Sequence, residues 1–162
     1  DVSNAYVIAG ENGPKDFSLF ASNDNTNWSK IYSWTDISSV DYYDEVNNEF
    51  NTLELHITET NRYQFWRLVV NKITGGTSLQ LSELKLHGFY EETNFLITND
   101  GTKFSSSSTG TSQYSNSYTH SNAFNGNTTS GDWLSQGGSY DTDGTYLLTQ
   151  RQFDNYKGEW LQ

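Results

Sequence analysis

The sequence lacks cysteine altogether, contains a single proline, and has only nine Lys and Arg residues against 20 Asp and Glu. The absence of cysteine excludes disulfides, thiolate metal sites and cysteine nucleophiles. A formal charge of -11 leaves no source of affinity for a phosphate backbone, so we predict that the chain does not bind nucleic acid. No apolar run approaches the ~20 residues that a membrane-spanning helix needs, and we expect no membrane insertion.

The chain does contain many aromatic and small polar residues. Aromatic residues make up 15% of the 162 residues although hydrophobic residues reach only 33%, and Asn, Ser and Thr together provide about a third. A core built on a few large rings is compatible with this composition, and disorder is not expected. At this length a single domain, residues 1–162, is the natural expectation.

Apolar residues alternate with period two rather than with the 3.6-residue period of a helix. Leu53, Leu55 and Ile57 show this most clearly, and similar alternation occurs at residues 66–70 and, with one slip that suggests a β-bulge, at residues 79–86. Further strands are predicted at residues 6–9, 17–21, 95–98, 145–148 and 159–162. No window shows a capped helical stripe. The pattern therefore predicts an all-β protein folded as an antiparallel β-sandwich.

Two regions stand apart from these strands. Residues 36–59 contain seven carboxylates and no Lys or Arg, and we expect them to form a solvated loop and strand face. Residues 103–130 are rich in Ser, Thr and Asn but also carry aromatic side chains that flexible linkers lack. We expect long ordered loops in this second region.

Three segments of the chain resemble the discoidin, or coagulation-factor C-type, family. They are residues 22–28 (Ser-Asn-Asp-Asn-Thr-Asn-Trp), residues 62–67 (Arg-Tyr-Gln-Phe-Trp-Arg) and residues 83–88 (Glu-Leu-Lys-Leu-His-Gly). In that family this order of motifs is typical of the C-terminal half. Residues 1–89 therefore resemble that half.

Residues 94–162 resemble the N-terminal half of the same family. The matching pieces are residues 105–108 (four serines), 123–127 (Ala-Phe-Asn-Gly-Asn), 129–133 (Thr to Trp) and 158–162 (Gly-Glu-Trp-Leu-Gln). The two halves thus occur in reversed order. Three explanations fit: a circular permutation, one period of a tandem array, or exchange of halves between neighbouring chains in a filament. We favour the circular permutation.

The resemblance implies a jelly-roll-like, galactose-binding-domain-like sandwich whose loops at one end hold a ligand, usually a glycan. Sugars need aromatic faces and planar polar partners, and loop residues of these types are the candidates: Tyr114, Tyr118, His120, Glu11, Asn12, Arg151 and Tyr156. Each also has a structural explanation. The tyrosines can cover a local core, the histidine can make a surface hydrogen bond, the arginine can pair with a nearby carboxylate, and Glu11 and Asn12 can form a turn.

The resemblance also implies a structural Ca²⁺ ion. Carried over by position, its ligands are the side chains of Asn125, Thr129 and Glu83, with backbone carbonyls around Ala123 and Asn127. Calcium takes about six to eight oxygen ligands, and negative charge strengthens its binding. Asn stands here at a position that is usually Asp, which removes one charge. The longer spacing that follows leaves Thr128 or Ser130 as alternative ligands.

The motif content argues against catalysis. No pattern places two carboxylates around a cleft, and no Gly-x-Ser-x-Gly, His-Glu-x-x-His or Gly-Lys-Ser/Thr motif occurs. We predict a non-catalytic, lectin-like recognition module, extracellular or on a cell or virion surface, that binds cell-surface or polysaccharide glycans. Two alternatives are a structural subunit or repeat of a surface filament or adhesin, which would contact like subunits, and an accessory domain of a larger glycosidase.

Overall fold

The computed structural model describes residues 2–44, 46–47, 49–59, 61–90, 93–96, 110, 112–125, 132–147 and 157–162. These residues form twelve strands: β1 (Val2–Ile8), β2 (Pro14–Ser22), β3 (Ser29–Trp34), β4 (Tyr43–Asp44), β5 (Glu49–Phe50), β6 (Leu53–Glu59), β7 (Phe65–Ile73), β8 (Gln80–Leu81), β9 (Glu83–Tyr90), β10 (Thr93–Leu96), β11 (Trp133–Leu134) and β12 (Glu159–Leu161). Two short 3-10 helices, Ser39–Asp41 and His120–Phe124, accompany them. Within these ranges no helix is long and apolar enough to cross a membrane.

Eight strands form two four-stranded antiparallel sheets. The first sheet has the strand order β10-β9-β1-β6 and the second has the order β12-β7-β2-β3. Two ribbons, β4 with β5 and β8 with β11, complete the described strands. Residues from both sheets contribute to one hydrophobic core. The predicted all-β, antiparallel sandwich class is confirmed.

The period-two pattern buries one face of β6. On β6, Leu55 and Ile57 are buried whereas Glu54 and His56 are exposed. Successive side chains of a strand point to opposite faces, so this pattern directs the apolar side toward the core. The slip at residues 79–86, predicted as a β-bulge, is instead a break between two strands, since β8 ends at Leu81 and β9 begins at Glu83.

Large aromatic side chains fill much of the core. Trp133, Tyr42 and Tyr140 are completely buried. The hydroxyl of Tyr42 donates to the carbonyl of Pro14 (2.6 Å), and that of Tyr140 donates to the carbonyl of Val70 (2.9 Å). Burial raises the pKa of both tyrosines well above the usual value. Each ring therefore contributes apolar area while its polar end is satisfied.

The structure contains a strand that the apolar pattern does not predict. In β3, Tyr32 lies opposite Leu19 and Lys30 lies opposite Phe20, so Ile31 is an extra residue between them. Such a bulge interrupts the alternation of side chains and hides the strand from a period-two search. β3 is therefore visible only in the structure.

The strand predicted at residues 145–148 is not formed in the described part of that segment. Thr145 and Tyr146 make only isolated bridges to other segments. A turn precedes them, closed by the bond from the N–H of Gly144 to the carbonyl of Asp141 (3.0 Å). Gly144 has a φ of +83°, a left-handed conformation that glycine adopts without strain. The turn therefore ends immediately before the predicted strand, and Thr145 and Tyr146 form bridges rather than a strand.

Both portions of the chain contribute to the same sheets. β10 pairs with β9, β11 with β8 and β12 with β7. Trp160 lies opposite Val69, and β7 pairs in turn with β2 from the opening part of the chain. Where the two portions adjoin, β9 and β10 form an antiparallel pair in which Thr93 lies opposite Tyr90. The tail of the chain therefore completes sheets that the opening part begins.

Candidate functional site

A pocket with a volume of about 290 Å³ opens between the β1–β2 loop and the β4–β5 hairpin. Its lining combines a stretch of the loop, one ring from each hairpin strand and one residue of β8: Gly10, Glu11, Asn12, Tyr43, Phe50 and Gln80. Two of the predicted ligand-binding residues, Glu11 and Asn12, therefore lie in the wall of a pocket. The other side chains in the wall come from positions that the sequence does not single out.

Hydrogen bonds hold the loop wall of the pocket in place. The N–H of Gly13 donates to the carbonyl of Gly10 (3.0 Å) and closes a turn. The N–H of Gln80 donates to the carbonyl of Asn12 (3.2 Å), and that of Thr74 donates to the carbonyl of Gly13 (2.9 Å). A Cβ on Gly10 would overlap the side-chain amide of Gln80. This wall is therefore formed before any ligand arrives.

Tyr42 ties the hairpin wall to the loop wall. Its hydroxyl is bonded to Pro14, and its carbonyl accepts the N–H of Asn51 (2.8 Å), which follows the hairpin. Its ring lies 2.7 Å from the position of a Cβ on Gly13, so only glycine fits there. Tyr42 thus ties the two walls together, through its buried side chain on the loop side and its backbone on the hairpin side.

The tip of the hairpin is held by Asp44. Its carboxylate accepts the N–H of Val46 (2.9 Å), the N–H of Asn47 (3.2 Å) and the side-chain amide of Asn47 (2.7 Å). These bonds, foremost that of the Asn47 side chain, lower the pKa of Asp44. The acidic stretch at residues 36–59 is thus more than the solvated face that we expected, because it supplies a pocket wall.

The lining combines aromatic rings with hydrogen-bonding side chains. The rings of Tyr43 and Phe50 meet edge to face with centroids 5.4 Å apart. Apolar C–H faces of a sugar pack on such rings. The carboxylate of Glu11 accepts hydrogen bonds, and the amides of Asn12 and Gln80 both donate and accept them. The arrangement can therefore bind a ligand with one apolar face and several hydroxyls.

Gln80 is the polar residue that links the pocket to its surroundings. It lies between Leu79 and Leu81, which are fully buried, so its side chain points away from the core. Its Nε2 donates to Oδ2 of Asp132. A polar residue between two buried leucines is a detectable signal for an outward position, but nothing in the sequence shows what lies beside it.

Tyr114 and Tyr118, the tyrosine pair, are exposed at the surface. Their side chains are 61% and 37% exposed, and their rings meet edge to face at 6.0 Å. The backbone N–H of Tyr114 donates to the carbonyl of Leu134 (2.8 Å). Rings that contact a ligand must be exposed, whereas rings that cover a local core would be buried. The exposure of the tyrosine pair therefore favours the first interpretation.

His120 is directed into the protein rather than toward a ligand. Its ring centroid lies 5.5 Å from that of Trp133, and its edge occupies the space beside Gly110. Burial lowers its pKa, an effect opposed by a hydrogen bond involving the Ser112 backbone and by the charge of Glu159. The structure places this histidine in the packing of the loop and outside the pocket lining.

The predicted calcium ligands are partly described. Glu83 begins β9 and is fully buried, and the 3-10 helix His120–Phe124 packs against β9. Ala123, also fully buried, lies in that helix, and Asn125 directly follows the helix. Two adjoining elements thus carry three of the predicted ligands. In the part of the chain that the structure describes, no three His, Cys, Asp or Glu residues form a metal-binding group. The predicted set contains a single carboxylate, so calcium binding stays a prediction.

Four predicted site residues lie outside the described residues. They are two of the ligand-binding candidates and two of the calcium ligands: Arg151, Tyr156, Thr129 and Asn127. Their roles stay predictions from the sequence. The pocket and the tyrosine pair are therefore the candidate surfaces that lie within the described residues.

The segments that carry the family resemblance meet in one stack on the second sheet. The guanidinium of Arg67 lies between the indoles of Trp28 and Trp160, with its central carbon 4.2 Å and 4.0 Å from the two ring centroids. Its Nε donates to Oε1 of Gln162 (3.1 Å). Burial lowers the pKa of Arg67 to about 10. Three separate motifs thus contribute to a structural contact.

The Ser-Asn-Asp motif at residues 22–24 is likewise structural. The carboxylate of Asp24 accepts the N–H groups of Thr26 (2.8 Å) and Asn27 (2.7 Å) and the hydroxyl of Ser22 (3.0 Å). These bonds, foremost those from Asn27, lower the pKa of Asp24 far below its usual value. Asn25 has a φ of 58°, which Asn tolerates. The motif encodes a tight turn.

Glu159 in the closing motif is a buried carboxylate with a structural role. It is fully buried and accepts the hydroxyl (2.8 Å) and the N–H (3.2 Å) of Ser112. A Cβ on the preceding Gly158 would overlap the carbonyl of Val70. The motif thus seats the last strand against β7.

No family model, curated protein or solved structure matches the chain. The discoidin-like pattern accordingly stays a prediction from the sequence.

Proposed function

We propose that this chain is a non-catalytic recognition module that binds a glycan in the pocket between the β1–β2 loop and the β4–β5 hairpin. The observation that supports the proposal is the lining, in which two aromatic rings, one carboxylate and two side-chain amides surround about 290 Å³. A discoidin-like sandwich with permuted halves, outside the cell or on a cell or virion surface, is the setting that the sequence predicts for such a module.

The size and preorganisation of the pocket suit a sugar. Small-molecule sites usually measure about 300–1,000 Å³, so this pocket is at the lower end and fits a single ring. Tyr42 fixes its walls in advance, which reduces the entropy lost on binding. A rigid, small pocket with mixed aromatic and amide lining therefore favours a compact polyhydroxylated ligand.

The expected affinity of one such pocket is low. A single shallow sugar site commonly has a dissociation constant of about 1 mM, or about -4 kcal/mol. Linking several copies can raise avidity by roughly 10²–10⁴. The test therefore needs a multivalent form of the protein.

Glycan-array screening of a tetramer assembled from the biotinylated chain tests the proposal. We expect retention of a subset of uncharged glycans. The Tyr43→Ala tetramer should lose this signal, whereas Tyr32→Ala, which removes a ring that is 43% exposed on β3, should keep it. Silence of the unmodified tetramer across galactose, fucose and amino-sugar ligands would contradict the proposal.

The same tetramer tests the predicted calcium. We propose that the ion stabilises the region around Glu83, Ala123 and Asn125. Thermal melting in calcium and in chelator should then differ, with the lower melting temperature in chelator. Identical melting curves would contradict the proposed calcium ion and would not bear on the proposed glycan binding in the pocket.

A further inference from the structure

The pocket continues into a row of four backbone segments that lie side by side. The N–H of Gln80 donates to the carbonyl of Asn12 (3.2 Å). Gln80 lies opposite Leu134 in the β8–β11 ribbon, and the carbonyl of Leu134 accepts the N–H of Tyr114 (2.8 Å). Neighbouring segments in such a row are about 4.8 Å apart, which puts Asn12 and Tyr114 on the order of 14 Å from each other.

Side-chain hydrogen bonds also connect the pocket to the region of the tyrosine pair. Nε2 of Gln80, in the pocket lining, donates to Oδ2 of Asp132. The carbonyl of Asp132 accepts the side-chain amide of Asn122 (3.2 Å), which also donates to the carbonyl of Ser117 (2.8 Å). Ser117 belongs to the turn that carries the tyrosine pair. A continuous polar path therefore connects the pocket to those two rings.

The charge of the pocket and of the polar path disfavours acidic ligands. The pocket lining and the path contain the carboxylates of Glu11 and Asp132. Among the described residues named for the pocket, the path and the tyrosine pair, none is Lys, Arg or His. A sulfated or uronic sugar would meet like charge and find no cationic partner here.

We infer that the pocket and the tyrosine pair are two ends of one extended site that takes an uncharged oligosaccharide chain several sugar units long. This inference rests on the proposed glycan binding and extends it. One unit occupies the pocket against Tyr43 and Phe50. Later units follow the polar path past Asp132 and Asn122, and a distal unit packs on the tyrosine pair. The ligand is thus a segment of a linear polysaccharide rather than a single terminal sugar.

Affinity as a function of chain length tests the inference. Isothermal titration would use series from monosaccharide to hexasaccharide built on galactose, glucose, mannose, xylose and N-acetylglucosamine. In the series that binds, affinity should rise about tenfold or more between the monosaccharide and the tetrasaccharide, since each additional aromatic contact contributes to binding. Oligogalacturonides of matched length should bind more weakly than the neutral series.

Two variants locate the two ends. The double variant Tyr114→Ala/Tyr118→Ala should lose the gain with length while keeping the monosaccharide affinity, and its exposed positions predict an unchanged melting temperature. Tyr43→Ala should weaken binding at every length. Equal affinity for all lengths, or equal loss for monosaccharide and tetrasaccharide in the double variant, would overturn the inference alone. Failure of every series to bind would overturn the proposed glycan binding and this inference together.

Discussion

Aromatic side chains meet in two different settings in this molecule. In the stack of Trp28, Arg67 and Trp160, each indole lies on the guanidinium of the chain's own arginine. In the pocket, Tyr43 and Phe50 touch edge to face and line an open volume. The first set joins distant parts of the chain, and the second set borders space that a ligand can enter. The difference separates rings that hold the fold together from rings that we propose bind a ligand.

The largest expected effect is a loss of stability when the stack of Trp28, Arg67 and Trp160 is broken. Trp160→Ala removes one face of the arginine stack and part of the contact between β12 and β7. We expect the free energy of unfolding to fall by about 3 kcal/mol, the lower end for a tryptophan truncation because this side chain is only partly buried. Urea denaturation measures the loss. Affinity for the bound oligosaccharide should be unchanged in the folded variant, and a selective loss of binding would contradict the comparison.

A second prediction concerns the residue that supports the pocket from inside. Tyr42→Phe removes the hydrogen bond to the Pro14 carbonyl and should lower the free energy of unfolding by about 1–2 kcal/mol. Because Tyr42 fixes both walls, glycan affinity should fall as well. Urea denaturation and titration of the same sample test both effects. A stability loss with unchanged affinity would show that the walls do not depend on this anchor.

On the pocket side we expect a binding effect without a stability effect. Phe50→Ala removes one of the two rings and should weaken glycan binding about tenfold, or about 1.4 kcal/mol. Val46→Ala is the matched control, since Val46 is 92% exposed at the tip of the same hairpin. Its affinity should equal that of the unmodified protein. Equal losses in the two variants would mean that the hairpin, and not the ring, matters.

The smallest expected effect is a pH dependence of stability caused by His120, which packs beside Trp133. Burial lowers the pKa of His120 below 6.5 in the folded protein. The unfolded chain therefore binds the proton more readily, so stability is complete above the unfolded pKa and declines as pH falls through the region below 6.5. The effect is modest because the ring is only partly buried. Urea denaturation at several pH values should show a shallower decline in His120→Gln than in the unmodified protein. An identical decline of stability with pH in the two proteins would contradict the packing of His120 inside the protein.

The fold was largely predictable because its signal is local. Alternation at β6 follows directly from the pleat, and the polar turn at residues 22–28 is explained by the hydrogen bonds of Asp24. β3 escaped prediction because its bulge at Ile31 breaks the alternation. The prediction of a strand at residues 145–148 fails in its described part, because Thr145 and Tyr146 after the turn form isolated bridges instead of a strand.

The site was only half predictable because its members are distant in sequence. Glu11 and Asn12 were identifiable as polar loop residues before a proline. Tyr43 and Phe50 lie within an acidic stretch whose charge indicated a solvated surface, and their pairing depends on the β4–β5 register. The position of Gln80 depends on its hydrogen bond to Asn12. Such contacts are set by tertiary structure and leave no pattern in the chain.

The most direct measurement of the central claim is a map of amide chemical-shift changes on the isotopically labelled protein during titration with the oligosaccharide that it binds. We expect the largest changes at residues 10–12, 43, 50 and 80, extending to the tyrosine pair for longer chains. Changes concentrated instead around Trp28, Arg67 and Trp160 would contradict it.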